Sequence, residues 1–242
     1  GGATRIGAAI AKSLSGFDKK IVIHYNKSKI NAQKLKKELE NLGTETFLLR
    51  ADLNNELQTR NLIRTAFKKM KGLDCLINNA SIFENDNLDN FSSQSFLKHL
   101  TVNLKSPAIL TQEFKKNTKK NRGCIINLID QRVEKLTPFF FSYTLSKSAL
   151  VTLTKVAAMK LAPNIRVNGI SPGPTLKNNR QSDSHFKKQW KSVILKRKVD
   201  LNNICDGVKF IIKNDSVTGE IINIDSGQRL AWRTPDIISI KE

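Results

Sequence analysis

Cysteine is scarce in this chain, and its placement argues against two kinds of chemistry. Cys75, Cys124 and Cys205 are widely spaced, two of them within apolar strand-like runs, with no metal-site or disulfide spacing. They read as the reduced thiols of a cytosolic protein. Long apolar runs are also missing; none approaches the ~18 residues that a membrane-spanning helix needs. Acidic residues number 21 against 41 lysines and arginines, a formal net charge of +20. Yet there is no arginine-rich cluster interleaved with aromatics, and the lysines are spread over helix surfaces. The charge alone therefore does not make a nucleic-acid surface, although a nucleic-acid-binding or dinucleotide-sensing protein remains an alternative. An anionic small ligand, such as a phosphorylated cofactor, suits the charge in either case. No internal repeat and no linker-like change of composition divides the 242 residues, so a single domain is expected.

What is there is an alternation of strand and helix patterns. Residues 1–7 (GGATRIG) form a glycine-rich turn that runs into an amphipathic helix over 8–14. Such a turn lets the backbone approach a pyrophosphate at a helix N-terminus, where free N–H groups and the dipole favour anions. It normally follows a strand, and none precedes it. The reading is that the first strand is missing from the chain as given, leaving a gap between the Lys20 strand and the Leu73 strand. Unpaired backbone groups beside that gap would make the isolated piece unstable and inactive. Strand patterns follow at 20–25, 46–51, 73–78, 124–129, 165–170 and 220–224, and helices at 29–42, 56–71, 95–117, 142–161 and 201–213. Residues 175–198 are polar and basic and read as a lid over a substrate. The alternation predicts one doubly wound, Rossmann-type α/β domain with a parallel sheet flanked by helices, ligands lying at the strand C-terminal ends.

Candidate functional residues fall at those ends. Asn26, Lys27 and Ser28 close the second β-unit with a cation and two donors where an acidic residue would select a free ribose 2′-OH. That choice favours a 2′-phosphate, hence NADPH over NADH. Asp52 and Leu53, Asn79 to Ser81, Asp130, and Pro172 with Gly173 occupy later strand ends. Tyr143 and Lys147 are four apart and so share one helix face, where a lysine is expected to lower the tyrosine pKa and make it a proton donor.

Together the glycine turn, Asn78-Asn79-Ala80, Asn103 in NLKSP, Tyr143-x-x-x-Lys147 and Ser171-Pro172-Gly173 resemble the short-chain dehydrogenase/reductase family over essentially the whole length. Three features resemble its pteridine reductase branch, which includes dihydromonapterin reductases. Arg5 replaces the usual middle glycine, Asp130 stands where most members carry a catalytic serine, and the strand ends in His24-Tyr25-Asn26-Lys27-Ser28. Lys27 stands in place of that branch's arginine, keeping the charge and losing the planar fork.

The resemblance implies the following assignments. Gly1, Arg5, Ile6 and Gly7 hold the pyrophosphate, and Asn26, Lys27 and Ser28 the 2′-phosphate. Asp52 and Leu53 flank the adenine, while Asn79, Ala80, Ser81, Tyr143, Lys147, Pro172 and Gly173 surround the nicotinamide ribose and ring. Phe83 stacks on a pterin ring, with Arg5, Ser81, Asp130 and Tyr143 around the substrate. Tyr143, Lys147, Asp130 and Asn103 form the catalytic set, Asn103 holding a relay water behind the lysine. The implied activity is NADPH-dependent reduction of a dihydropterin, dihydromonapterin or dihydrofolate. A 3-oxoacyl thioester is the alternative substrate. The implied assembly is a cytoplasmic homotetramer whose partner is a small molecule, with no metal, membrane or nucleic acid.

Overall fold

The computed structural model describes residues 1–118, 122–178 and 180–234. Within these residues six parallel strands, β1 (Lys20–Tyr25), β2 (Glu45–Arg50), β3 (Cys75–Asn78), β4 (Gly123–Leu128), β5 (Ile165–Pro172) and β6 (Ile221–Ile224), carry the fold. Among the described residues, eight α-helices connect and flank them: α1 (Arg5–Ser13), α2 (Lys29–Asn41), α3 (Glu56–Met70), α4 (Ser93–Leu100), α5 (Ser106–Asn117), α6 (Phe141–Leu161), α7 (Asp183–Lys191) and α8 (Leu201–Lys213). The strands form two sheets, β1-β2 and β3-β4-β5-β6. The parting lies between the Lys20 and Cys75 strands, where the sequence reading expects a gap. A cavity of about 390 Å³ occupies it, lined by both strands and by Leu62 and Ile63 of α3.

Near-continuous apolar runs make these strands parallel-sheet strands, because both faces must be covered. Alternate residues of β4 point to opposite layers. Ile125 packs with Leu62, Phe67, Leu110, Phe114 and Ala158 of α3, α5 and α6. Cys124, Ile126 and Leu128 pack against Ile10 of α1 and Ile204, Val208 and Ile211 of α8. Ala11 joins a third cluster with Ile23 of β1 and Leu35 and Leu39 of α2, so α1 bridges the two sheets.

Two differences from the sequence pattern matter for the site. The helix expected over 95–117 is three segments, α4, a π-helical turn at Thr101–Lys105, and α5. Within the polar 175–198 stretch lies a full helix, α7, capped where the Ser182 hydroxyl accepts from His185 N. Its apolar side chains are too few to give a sequence period. Residue 179 of that stretch lies outside the described residues.

Candidate active site

Helix α6 begins where β4 has delivered the chain to the sheet's carboxyl edge, and it presents Tyr143 and Lys147 one turn apart. The Tyr143 hydroxyl donates to Asp130 Oδ2 at 3.0 Å. Asp130 Oδ1 accepts from Arg132 N at 2.9 Å, so one carboxylate both shapes the turn after β4 and holds the phenol. Lys147 Nζ donates to Leu128 O at 2.6 Å. Tyr143 and Lys147 are both buried.

Burial sets the charge states. It brings the Lys147 ammonium down to about 8 against some support from Asp130. It raises the Asp130 carboxyl above the usual carboxylate range, opposed by Arg132, Tyr143 and Lys147. Tyr143 is pushed well above its ordinary value, first by burial and then by the Asp130 carboxylate. This corrects the expectation that Lys147 lowers the tyrosine pKa. Lys147 Nζ sits 5.7 Å from the tyrosine ring centroid and spends a hydrogen bond on Leu128, while Asp130 is in direct contact with the hydroxyl. Tyr143 is therefore a protonated donor throughout the neutral range.

Asn103, fully buried in the π-helical turn, also differs from expectation. Its Nδ2 donates to Ile82 O and Ser146 Oγ, both at 3.0 Å. Its Oδ1 accepts from Ile82 N at 2.9 Å and Ser81 Oγ at 3.1 Å. An amide side chain has two donors and two main acceptor positions, and all are taken by protein. This side chain thus locks the loop after β3 onto α6 rather than holding a relay water.

That loop carries Phe83. Its ring stacks on Phe140, 4.3 Å between centroids and 2° from parallel, and meets Tyr143 edge-on at 4.6 Å. The Arg132 guanidinium covers Phe140 at 4.4 Å, and Arg180 lies 5.6 Å from the Phe83 centroid while donating to Phe83 O. The result is an aromatic wall capped by cations next to the Tyr143–Asp130 pair.

The glycine turn lies on the same edge. A Cβ on Gly7 would stand 2.2 Å from Gly1 O, so only glycine lets the turn close this tightly. Asn79 Nδ2 donates to Gly1 O at 2.6 Å and ties the turn to the end of β3. Thr4 makes no side-chain cap for α1, and no acidic residue occupies its first turn. Arg5 reaches across, its guanidinium donating to Leu176 O and Lys177 O at 3.2 and 2.9 Å.

A cavity of about 640 Å³ brings together Arg5, Ile6, Asn79, Ser81, Phe83, Asp130, Tyr143, Lys147, Pro172 and Gly173. Gly1, Gly7, Ala80 and Leu53 instead border the cavity between the sheets. Asn26, Lys27, Ser28 and Asp52 line neither one; they sit at the ends of β1 and β2, where Ala51 N donates to Tyr25 O at 3.1 Å. Ser28 occupies the N-cap position of α2, but its hydroxyl makes no cap bond. Asp52 Oδ1 accepts from Asn54 N at 3.0 Å.

Sequence reasoning missed Arg132, Phe140 and Arg180. The run Phe139-Phe140-Phe141 was the available signal, since three phenylalanines at a loop end are more than a helix start needs.

Comparison with known proteins bears on this geometry. The family described as enoyl-(acyl carrier protein) reductase matches residues 1–229. The chain belongs to the short-chain dehydrogenase/reductase family. Among solved relatives, FolM alternative dihydrofolate reductase 1 from Brucella canis, complexed with NADP, is 39% identical. It superposes with a TM-score of 0.94, covering 98% of this chain and 94% of that one. A short-chain dehydrogenase from Burkholderia cenocepacia, also in complex with NADP, is 28% identical with a TM-score of 0.88 (94% and 95% covered). The 3-oxoacyl-[acyl-carrier-protein] reductase of Staphylococcus epidermidis is 28% identical over 233 residues, 93% of this chain and 96% of that protein. In this short-chain dehydrogenase/reductase, Tyr143 and Lys147 stand one turn apart on α6, with Asp130 bonded to the tyrosine.

Proposed function

We propose that this protein is an NADPH-dependent reductase of a pterin-type ring, its substrate a dihydropterin, dihydromonapterin or dihydrofolate. The observation that carries the reading is the 3.0 Å bond between Tyr143 and Asp130 beside the Phe83 ring. Reducing a ring C=N requires hydride at carbon and a proton at nitrogen. An acid that can bond amino and ring-nitrogen groups suits this better than a serine hydroxyl.

The residues present fit a phosphorylated dinucleotide. The side-chain-uncapped N-terminus of α1 and the turn that a Gly7 Cβ would fill offer backbone N–H groups to a pyrophosphate. Lys27, exposed and without an ion-pair partner among the described residues, would meet the 2′-phosphate, with Asn26 and Ser28 as donors. Asp52 and Leu53 would flank the adenine, and Asn79, Ala80, Ser81, Pro172 and Gly173 the nicotinamide end. When bound, NADPH supplies the hydride. Tyr143 donates the proton, Asp130 holds the phenol in place and bonds the substrate's polar edge, and Lys147 orients the ribose. Phe83 supports the flat ring, with Arg5 at its edge.

The likeness to FolM alternative dihydrofolate reductase, stronger in identity than that to the 3-oxoacyl reductase, supports the pterin reading. A 3-oxoacyl thioester remains the second reading because of that latter likeness. We read residues 1–242 as one oxidoreductase domain with 175–198 as its substrate lid. We read it as a cytoplasmic homotetramer; the apolar Val156 and Met159 left exposed on α6 accord with self-association. Among the described residues, no helix is long and apolar enough to cross a membrane.

The test is NADPH oxidation by purified full-length protein with dihydrobiopterin, dihydromonapterin, dihydrofolate and acetoacetyl thioester in parallel. Turnover of at least one pterin, faster than of the thioester, is expected. Oxidation with thioesters or ketones and none with pterins refutes the reading.

A further inference from the structure

Helix α6 carries the proton donor, yet its own sequence gives it no cap. The residue at its N-cap position is Phe140, held in the left-handed region at φ 57° and lacking any side-chain acceptor. The first N–H groups of a helix have no carbonyl one turn back, and in a buried setting each needs another partner. Here the partner comes from 56 residues away. Asp86 Oδ1 accepts from Ser142 N at 3.1 Å, and Asp86 O accepts from Phe141 N at 3.2 Å. Its Oδ2 accepts from the Ser142 hydroxyl. Asp86 and Ser142 are both buried. No cation pairs with Asp86 among the described residues, so the positive end of the helix dipole and the hydroxyl are what hold its carboxylate.

The position of Asp86 in the loop gives this cap a second effect. It stands three residues after Phe83, on the segment that Asn103 and Arg180 also hold. Phe83 stacks on Phe140, the residue immediately before the capped turn, and touches Tyr143, the third residue of α6. One carboxylate thus fastens the segment bearing the aromatic wall to the helix bearing the phenol.

We propose that Asp86 is a positioning residue, capping α6 from across the rim of the site and setting the Tyr143 hydroxyl against the Phe83 ring. This rests on the reading of Tyr143 as proton donor. It adds a residue that touches neither substrate nor cofactor and that sequence spacing does not connect to the Tyr-Lys pair. Asparagine at this position keeps the shape, an acceptor for Ser142 N and a group that the Ser142 hydroxyl can bond. Alanine keeps none of these.

The experiment labels tyrosine with 13C at Cζ in full-length protein and compares wild type, Asp86→Ala, Asp86→Asn and Ser142→Ala. Tyr143→Phe assigns the Tyr143 resonance. Asp86→Ala should move that resonance and leave Tyr25 in place, and should lower kcat roughly tenfold, the scale of a lost cap. NADPH affinity should change by no more than about threefold, below the step that a lost hydrogen bond produces. Asp86→Asn should recover most of both effects, and Ser142→Ala should show a smaller shift of the same resonance. Should Asp86→Ala fail to fold, the asparagine and Ser142→Ala variants carry the same readout. An unmoved Tyr143 resonance in Asp86→Ala overturns the proposal. So does a loss of kcat and NADPH binding together that asparagine does not recover, which marks a merely structural residue. If wild type reduces no pterin, the substrate reading fails while the resonance still decides the role of Asp86.

Discussion

Replacing Lys147 with methionine should remove a pH dependence of stability that the wild-type protein shows between pH 7 and 9.5. Lys147 is 2% exposed, and burial brings its pKa from the ordinary 10.5 to about 8. Between these values the unfolded chain binds more protons than the folded one, so stability rises with pH. Below pH 8 both states are charged and the full penalty stands. At about 1.4 kcal/mol per tenfold in an equilibrium, it is about 3 kcal/mol at pH 7. By pH 9.5 the amine is neutral in the folded state, and about 2 kcal/mol of that penalty has gone. Asp130 and Tyr143 act elsewhere. The raised carboxyl of Asp130 contributes stability at acid pH that is lost as pH rises through its folded pKa. The contribution of Tyr143 is lost only above pH 10.

The assay is urea unfolding of full-length protein without cofactor, followed by circular dichroism at pH 7 and 9.5 and matched ionic strength. Wild type should gain about 2 kcal/mol more than Lys147→Met over that interval. A constant offset between the two would report only the lost Leu128 bond and changed packing. Parallel pH dependences refute the reasoning, because they mean that water reaches the ammonium and its pKa is ordinary.

Tyr143→Phe should lower kcat by about two to four orders of magnitude, the range of a positioned acid. NADPH titration by fluorescence should show binding within a few-fold of wild type, whereas equal activity would remove the assigned role. Asp130→Ser should damage pterin reduction more than any reduction of a simple carbonyl; equal losses in paired assays would make Asp130 structural. Lys27→Ala should raise the KM for NADPH by about tenfold, the weight of one partly exposed charge contact on a phosphate, and leave the KM for NADH unchanged. Gly173→Ala should destabilise by about 1–3 kcal/mol in urea unfolding, an overpacking effect, since a Cβ there would stand 2.6 Å from the Cα of Asp225.

The fold was legible because its information is local. Short apolar runs such as KIVIHY, bounded by turn residues, read as strands of a parallel sheet, and the helices between them carry their own periods. Strand-end residues followed automatically, since a parallel sheet brings its carboxyl ends together. The charge state of Tyr143 was not legible. Helix spacing puts Lys147 on the same face, but whether the phenol meets the lysine or Asp130 depends on side-chain direction. The π-helical turn was hidden for a similar reason: an extra residue in a helix changes no composition. Asp86 could not be tied to α6 from sequence either, because a cap supplied from 56 residues away leaves no short motif. Phe140 was passed over because a phenylalanine before a helix reads as an apolar start, whereas its ring is turned back onto Phe83.

The reach of Arg5 also bears on how the site answers to its ligand. Its guanidinium donates to Leu176 O and Lys177 O, so the residue that opens α1 is tied to the chain leading into α7. A ligand that engages Arg5 would compete with those two carbonyls. Occupancy of the site and the set of the segment before α7 would then be two readings of one equilibrium.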